Sequence, residues 1–160
     1  MTSAALTIAS NRGASGIDGT LASAIGYARG TKKPVTLFIG DLALIHDINS
    51  LDLVNDPDIC LTIVVINNRG GGIFSFLPVS AFNHVFEKYF ATPHSYDFKG
   101  AAAMFKIGYQ QPRTMADFER IYKKNIRGKK SVLIELQTDR NETLTLHKNI
   151  QRTIKNALEK

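Results

Sequence analysis

The sequence predicts an α/β protein, a doubly wound and mainly parallel sheet with helices on both faces. Three observations predict it. Short β-branched apolar runs alternate with stretches of helical periodicity, the connections between them are a few residues long, and the runs are continuous in apolar character, as in strands buried between helix layers. With 160 residues, 44% of them apolar, the chain fits one domain of the common ~100–150-residue size and can bury about 70% of its unfolded surface.

Residues 17–29 read as a small-residue helix with Leu21, Ile25 and Ala28 on one face and Gly30 at its end. Residues 34–40, Pro-Val-Thr-Leu-Phe-Ile-Gly, read as a buried strand bounded by Pro and Gly. Residues 46–55 carry Ile48, Leu51, Leu53 and Val54 and predict a helix ending near Asp56-Pro57. Residues 59–66 are the second buried strand, ended by the loop Asn67-Asn68-Arg69-Gly70-Gly71-Gly72, and 78–95 read as loop and short helix. An alanine-rich helix follows at 97–105. The next, 115–126, has Phe118, Ile121 and Tyr122 spaced for burial, a Thr114 cap and Gly128 at its close. A third strand spans 131–136, and the tail 141–160 is amphipathic and helical. No internal repeat or low-complexity linker divides the chain, so 1–160 is read as a single domain.

Composition excludes several classes. A single cysteine, Cys60, rules out a disulfide framework, and its apolar neighbours Ile59 and Leu61 predict a buried thiol, compatible with a reducing compartment. Apolar stretches such as Ile63-Val64-Val65-Ile66 fall far short of the ~20 residues that span a bilayer, and the first residues lack the pattern of a signal peptide, so a cytoplasmic protein without a membrane span is expected. The net charge of +6 is local: residues 1–119 hold nine Lys/Arg against ten Asp/Glu, and 120–160 hold eleven against four. The basic cluster Arg120, Lys123, Lys124, Arg127, Lys129 and Lys130 encloses a single aromatic residue, Tyr122, which is spaced for burial, so no aromatic is left to stack a base, which favours a solvated surface over a nucleic-acid partner.

In doubly wound sheets ligands bind beyond the carboxyl ends of the strands. That singles out Gly40-Asp41 and Asn67-Asn68, which follow the two most apolar strands with 25 residues between Asp41 and Asn67. A carboxylate, an amide oxygen and a loop carbonyl form an oxygen-only ligand set suited to Mg²⁺. Simple turn chemistry is the bland alternative, since Asp and Asn are common after strands. Gly13, Ser15 and Gly16 expose amides ahead of a helix, and Arg12 beside them could form a bidentate pair with a carboxylate. Of four scattered histidines, His46 is nearest this site in sequence. Ser15 lacks partners for a hydrolase triad, and no dinucleotide or P-loop motif is present.

The Asp41 and Asn67-Asn68 pairs resemble the thiamine diphosphate signature, and three longer strings sharpen the likeness. Residues 10–19 (SNRGASGIDG), 40–49 (GDLALIHDIN) and 66–75 (INNRGGGIFS), with Ala101-Ala102-Ala103-Met104-Phe105, resemble the C-terminal domain of the 2-succinyl-5-enolpyruvyl-6-hydroxy-3-cyclohexene-1-carboxylate (SEPHCHC) synthases of menaquinone and phylloquinone biosynthesis. The likeness runs from about residue 7 to about 139. It implies a thiamine diphosphate-dependent transferase, a carboligase joining isochorismate to 2-oxoglutarate with decarboxylation. It implies Mg²⁺ or Mn²⁺ held by Asp41, Asn68 and the Gly70 carbonyl. The cofactor would meet Ser15, Gly16, Ile17, Gly40, Leu42, Gly71, Gly72 and Ile73; Arg12, Ile73, Phe74 and Leu77 would meet substrate. Arg69 stands where the family often has Asn, and Leu42 replaces the final glycine of the commoner Gly-Asp-Gly form, as this family does.

The family's catalytic glutamate belongs to a pyrimidine-binding domain, and none of the five glutamates here lies in a matching motif. The expectation is therefore a partial enzyme, with no catalytic residue of its own, completed by that domain in cis or in trans. A homodimer or tetramer is expected for the intact enzyme, and a plastid or peroxisome is an alternative location if the source is eukaryotic. Two rival readings stay open: another thiamine diphosphate enzyme, such as an acetolactate synthase, and a non-catalytic binding module.

Overall fold

In the computed structural model, residues 7–11 and 16–159 are described. Four strands, β1 (Val35–Gly40), β2 (Leu61–Asn67), β3 (Gly108–Gln110) and β4 (Val132–Gln137), form one parallel sheet in the order β1-β2-β4-β3. α1 (Thr20–Thr31) precedes β1; the parallel arrangement forces long crossovers, which carry α2 (Asp41–His46), α3 (Asn83–Phe86), α4 (Lys99–Met104) and α5 (Met115–Asn125); α6 (Arg140–Leu158) follows β4. This is the doubly wound α/β fold that the alternation of runs predicts.

The centre is β2 and β4. Leu61, Ile63, Val65 and Leu133 are fully buried in one core with Leu21, Ile25 and Ala28 of α1 and with Leu44, Leu51 and Phe98, while Val64 and Ile134, at the alternate strand positions, are fully buried outside that cluster. Registers such as Val64↔Ile134 and Gly40↔Ile66 bring the carboxyl ends of β1, β2 and β4 side by side. A buried carboxylate fixes the helix layer: Asp47, just beyond α2, accepts from the Ala22 amide in α1 at 3.0 Å and from the Ser50 hydroxyl.

Several expectations need correction. The 46–55 segment is not an α-helix: α2 starts at Asp41, directly on the strand end, and Ile48–Asn55 is a 3-10 helix. Strand β1 is not buried throughout. It is an edge among the described strands, only Ile39 is buried, and Phe38 is 58% exposed. Cys60 is half-buried, with its thiol on the Gly128 carbonyl at 3.3 Å. The three-residue β3 is too short to leave an apolar signature. Residues 78–95 resolve into a 3-10 turn, α3 and a π-helical turn (Glu87–Ala91). The basic cluster is exposed where it lies on α5, and Arg120 and Lys123 pair with Asp117 and Glu119 along that helix.

Replacing Asp47 with Ala strips an acceptor from the buried Ser50 hydroxyl and the part-buried Ala22 amide, at about 1–3 kcal/mol for each orphaned group. Urea denaturation of Asp47→Ala should show a loss of about 2–4 kcal/mol; a loss under about 0.5 kcal/mol would mean that Asp47 does not fix α1.

Candidate functional site

The carboxyl end of β1 delivers Asp41. Gly40 is extended, and the chain turns at once into α2, so the Asp41 carboxylate is swept back over the strand end, 3% exposed. One oxygen, Oδ1, accepts from the Leu42 amide at 2.7 Å. The other, Oδ2, accepts from the Gly70 amide at 2.9 Å and contacts His94 Nε2 at 3.2 Å. A carboxylate offers about four lone-pair sites. Three are filled, which leaves room for one more positive partner.

The carboxyl end of β2 delivers the second half. Asn67 is fully buried and its Oδ1 accepts from the Arg69 amide at 3.0 Å, an Asx turn. Arg69 takes φ 62° and Gly70 φ 142°, so the chain reverses within two residues. Gly70 is obligatory on two counts: only glycine takes that φ without strain, and a Cβ there would overlap the Ala91 carbonyl. A Cβ at Gly72 would run into the Asn68 side-chain amide and displace it.

Asn68 Oδ1 is buried and has no hydrogen-bond partner among the described residues. An unpaired buried oxygen costs about 1–3 kcal/mol unless something electropositive reaches it. The Gly70 carbonyl accepts from the Gly72 amide at 2.9 Å and keeps its second lone pair. Asp41, Asn68 and Gly70 therefore offer spare oxygen acceptors around one hydrogen-bonded turn. This donor set fits a hard divalent cation such as Mg²⁺.

His94 is the residue that sequence reasoning missed; His46 is exposed at the end of α2. The His94 side chain is 7% exposed and stacks on Tyr96 with 5.2 Å between ring centroids. The Tyr96 amide donates to its Nδ1 at 3.2 Å, so the ring's hydrogen sits on Nε2 and points at Asp41. With both nitrogens engaged, His94 orients the carboxylate and presents no lone pair to a metal. The only sequence signal is its position in the loop that closes over β2, which spacing rules for metal ligands do not read.

The same loop laces the site together. Gly71 donates to the Ala91 carbonyl, His94 to the Arg69 carbonyl, and Asn67 Nδ2 to the Tyr96 carbonyl. Below it, buried Glu135 of β4 accepts from Asn67, Phe98 and Tyr109. Burial, together with the hydrogen bond to Glu135, pushes the Tyr109 phenol well above its ordinary pKa, so it remains a donor. A cavity of about 420 Å³ lies against Pro93, His94, Ser95 and Tyr96. Another of about 240 Å³, against Ile59, Gly108 and Ser131, sits at the amino ends of the strands, away from Asp41.

The remaining expected residues are placed as follows. Ile73 and Phe74 lie in a 3-10 turn (Gly72–Phe76) directly after the glycines and Leu77 closes it; all three are exposed, Ile73 at 74%. Phe74 makes an edge contact with Phe90. Gly16 and Ile17 are exposed ahead of α1, which packs beside α2 and β1. Arg12, Gly13 and Ser15 lie outside the described residues.

With this geometry in place, comparison with known proteins is direct. Residues 3–136 match the family described as thiamine pyrophosphate enzyme, C-terminal TPP binding domain. The chain is 51% identical over 145 residues to a protein of Rubrobacter xylanophilus described as 2-succinyl-5-enolpyruvyl-6-hydroxy-3-cyclohexene-1-carboxylate synthase, covering 91% of this chain and 25% of that protein. It is 49% identical over 144 residues to the synthase of the same description from Chlorobium limicola, covering 90% and 25%. The chain thus spans about a quarter of the length of these curated relatives. Among solved structures, a thiamine diphosphate-dependent 4-hydroxybenzoylformate decarboxylase from Rhodococcus jostii RHA1 superposes with a TM-score of 0.65 over 75% of this chain and 23% of its own; at 22% identity this likeness speaks for the fold alone.

Arg69 offers a test of the turn. A left-handed residue other than glycine costs about 1–2 kcal/mol, and Asn bears it better than Arg. Arg69→Asn should stabilise the chain by about 0.5–1 kcal/mol, seen as a melting temperature higher by roughly 2–4 °C. A lower melting temperature would show that the Arg69 side chain earns its place by contacts of its own.

Proposed function

The chain belongs to the thiamine pyrophosphate enzymes, as their C-terminal TPP binding domain, and from that premise we propose that it is the diphosphate- and Mg²⁺-binding part of a SEPHCHC synthase. That enzyme would decarboxylate 2-oxoglutarate and transfer the remaining four-carbon unit to isochorismate. The observation that carries the cation site is the buried, unpartnered Asn68 Oδ1 on the turn whose Gly70 amide is bonded to Asp41. The named reaction rests on 51% identity to a synthase of that description.

Each part of the site has a physical task. Asp41 supplies the one negative charge among the three ligands, and Asn68 Oδ1 and the Gly70 carbonyl supply neutral oxygens. Mg²⁺ bound in this way usually keeps further positions for water and ligand phosphates. The glycine turn lets a diphosphate approach the backbone, and the cation would neutralise its charge. Ile73, Phe74 and Leu77 give an apolar wall next to the diphosphate end. Arg12 is assigned to a substrate carboxylate, where a guanidinium can make two parallel charge-assisted bonds. When bound, thiamine diphosphate supplies the electron sink for decarboxylation and carbon–carbon bond formation. The protein's share is to orient, to neutralise and to keep water out.

Two measurements test the proposal. Titration calorimetry of the purified chain should show thiamine diphosphate binding that requires Mg²⁺. Asp41→Asn, checked as folded by circular dichroism, should weaken it by at least about tenfold, the loss of one charge-assisted contact of roughly 1.5 kcal/mol. Unchanged affinity would remove Asp41 from the site. For the reaction, the chain is substituted for the corresponding quarter of the Rubrobacter xylanophilus protein and given isochorismate and 2-oxoglutarate. Product formation supports the assignment. Decarboxylation without transfer to isochorismate would point to a different thiamine diphosphate enzyme.

A further inference from the structure

One buried ionisable group takes no part in the site as described. Glu135 lies within β4 with none of its surface exposed, and no ion pair reaches it among the described residues. Three donors converge on it instead: Asn67 Nδ2 on Oε1 at 2.8 Å, and the Phe98 amide and Tyr109 hydroxyl on Oε2 at 3.0 and 2.7 Å. Both oxygens must therefore accept. A side-chain amide in this position would turn an N–H against another donor, and in a dry interior neither could find water.

Two of the three donors belong to the segments that build the cation site. Asn67 directs one amide hydrogen to Glu135 and the other to the Tyr96 carbonyl at 3.0 Å, which leaves its Oδ1 to accept from the Arg69 amide. Phe98 ends the loop that carries His94. Glu135 thus ties the turn bearing Asn68 and Gly70 to the loop bearing His94, from beneath both. The Tyr96 carbonyl and the Arg69 amide favour the same Asn67 orientation, and Glu135 adds the one ionisable acceptor and the shortest of the three contacts to it. If the amide reversed, the Arg69 amide would lose its acceptor and the left-handed turn its anchor.

We propose that Glu135 is the positioning residue of the cation site: its carboxylate fixes the direction of the Asn67 amide and so sets the turn that presents Asn68 Oδ1 and the Gly70 carbonyl beside Asp41. The inference rests on the reading of Asp41, Asn68 and Gly70 as cation ligands. It also gives the doubled asparagine a division of labour. Asn67 commits both its amide hydrogens and its oxygen to holding the turn in place, and Asn68 keeps its oxygen free.

The test is a Mn²⁺ titration of the purified chain in the presence of thiamine diphosphate, followed by electron paramagnetic resonance, with melting temperature and far-ultraviolet circular dichroism recorded alongside. The parent chain should bind Mn²⁺. Glu135→Gln, if folded, should bind it at least tenfold more weakly. Glu135→Asp keeps the charge but withdraws it by one methylene from Asn67, and should cost threefold or more; it decides the matter where Glu135→Gln does not fold. A purely structural Glu135 would lower the melting temperature of the folded variant and leave its Mn²⁺ affinity within twofold of the parent, which overturns the proposal. A parent chain that binds no Mn²⁺ overturns the ligand reading itself, and is seen before any variant is made.

Discussion

A buried turn has no sheet ladder or water to pair its backbone, and the turn after β2 meets that constraint in a way that determines the rest of the site. Its Arg69 amide goes to Asn67, its Gly70 amide to Asp41, its Gly71 amide to Ala91, and its Arg69 carbonyl receives the His94 amide. The first of these bonds closes the turn on itself, and the others tie it to Asp41 at the end of β1 and to the crossover at Ala91 and His94. The crossover between β2 and β3 is consequently a folded cover, pinned by the π-helical turn (Glu87–Ala91) and by the stacked pair His94 and Tyr96. Buried backbone groups must be satisfied almost without exception, so the oxygens left over after this pairing become informative.

Those leftovers have a consistent chemistry. They are a carboxylate lone pair, a second carbonyl lone pair and an amide oxygen with nothing bonded to it. No thiol lies on these loops, and the one imidazole close by has both nitrogens committed. A site of this kind discriminates by hardness, favouring Mg²⁺ or Mn²⁺ over ions that seek nitrogen or sulfur. In the proposed site Asp41 would carry the charge, while His94 and the Gly70 amide hold its carboxylate in one orientation.

Much of this was legible in the sequence because it is local. Apolar runs that end in Gly-Asp and Asn-Asn mark strand ends, and strand ends in a parallel sheet share one edge, so Asp41 and Asn68 could be placed together without coordinates. The apolar face of α1 followed from spacing alone. The Thr114 cap is equally local, its hydroxyl accepting the Asp117 amide at 3.1 Å. What escaped was set by distant contacts. His94 meets Asp41 across 53 positions and Glu135 meets Asn67 across 68, and no periodicity encodes either. The 3-10 form of Ile48–Asn55 follows from the immediate start of α2 and the pull of Asp47 on Ser50, a packing effect that apolar spacing cannot distinguish from an α-helix. The exposure of β1 depends on what lies beside it, which its own residues do not state.

The central claim is that Asp41, Asn68 and the Gly70 carbonyl hold one hard cation that a diphosphate then shares. The most direct measurement is a crystal structure of the chain grown with Mn²⁺ and thiamine diphosphate, with the metal located by its anomalous scattering. The account predicts a single strong peak bonded to an Asp41 carboxylate oxygen, Asn68 Oδ1 and the Gly70 carbonyl, with the remaining positions filled by water and diphosphate oxygens and His94 still on Asp41. A peak bonded to His94, or thiamine diphosphate bound with Asn68 Oδ1 uncoordinated, would contradict it.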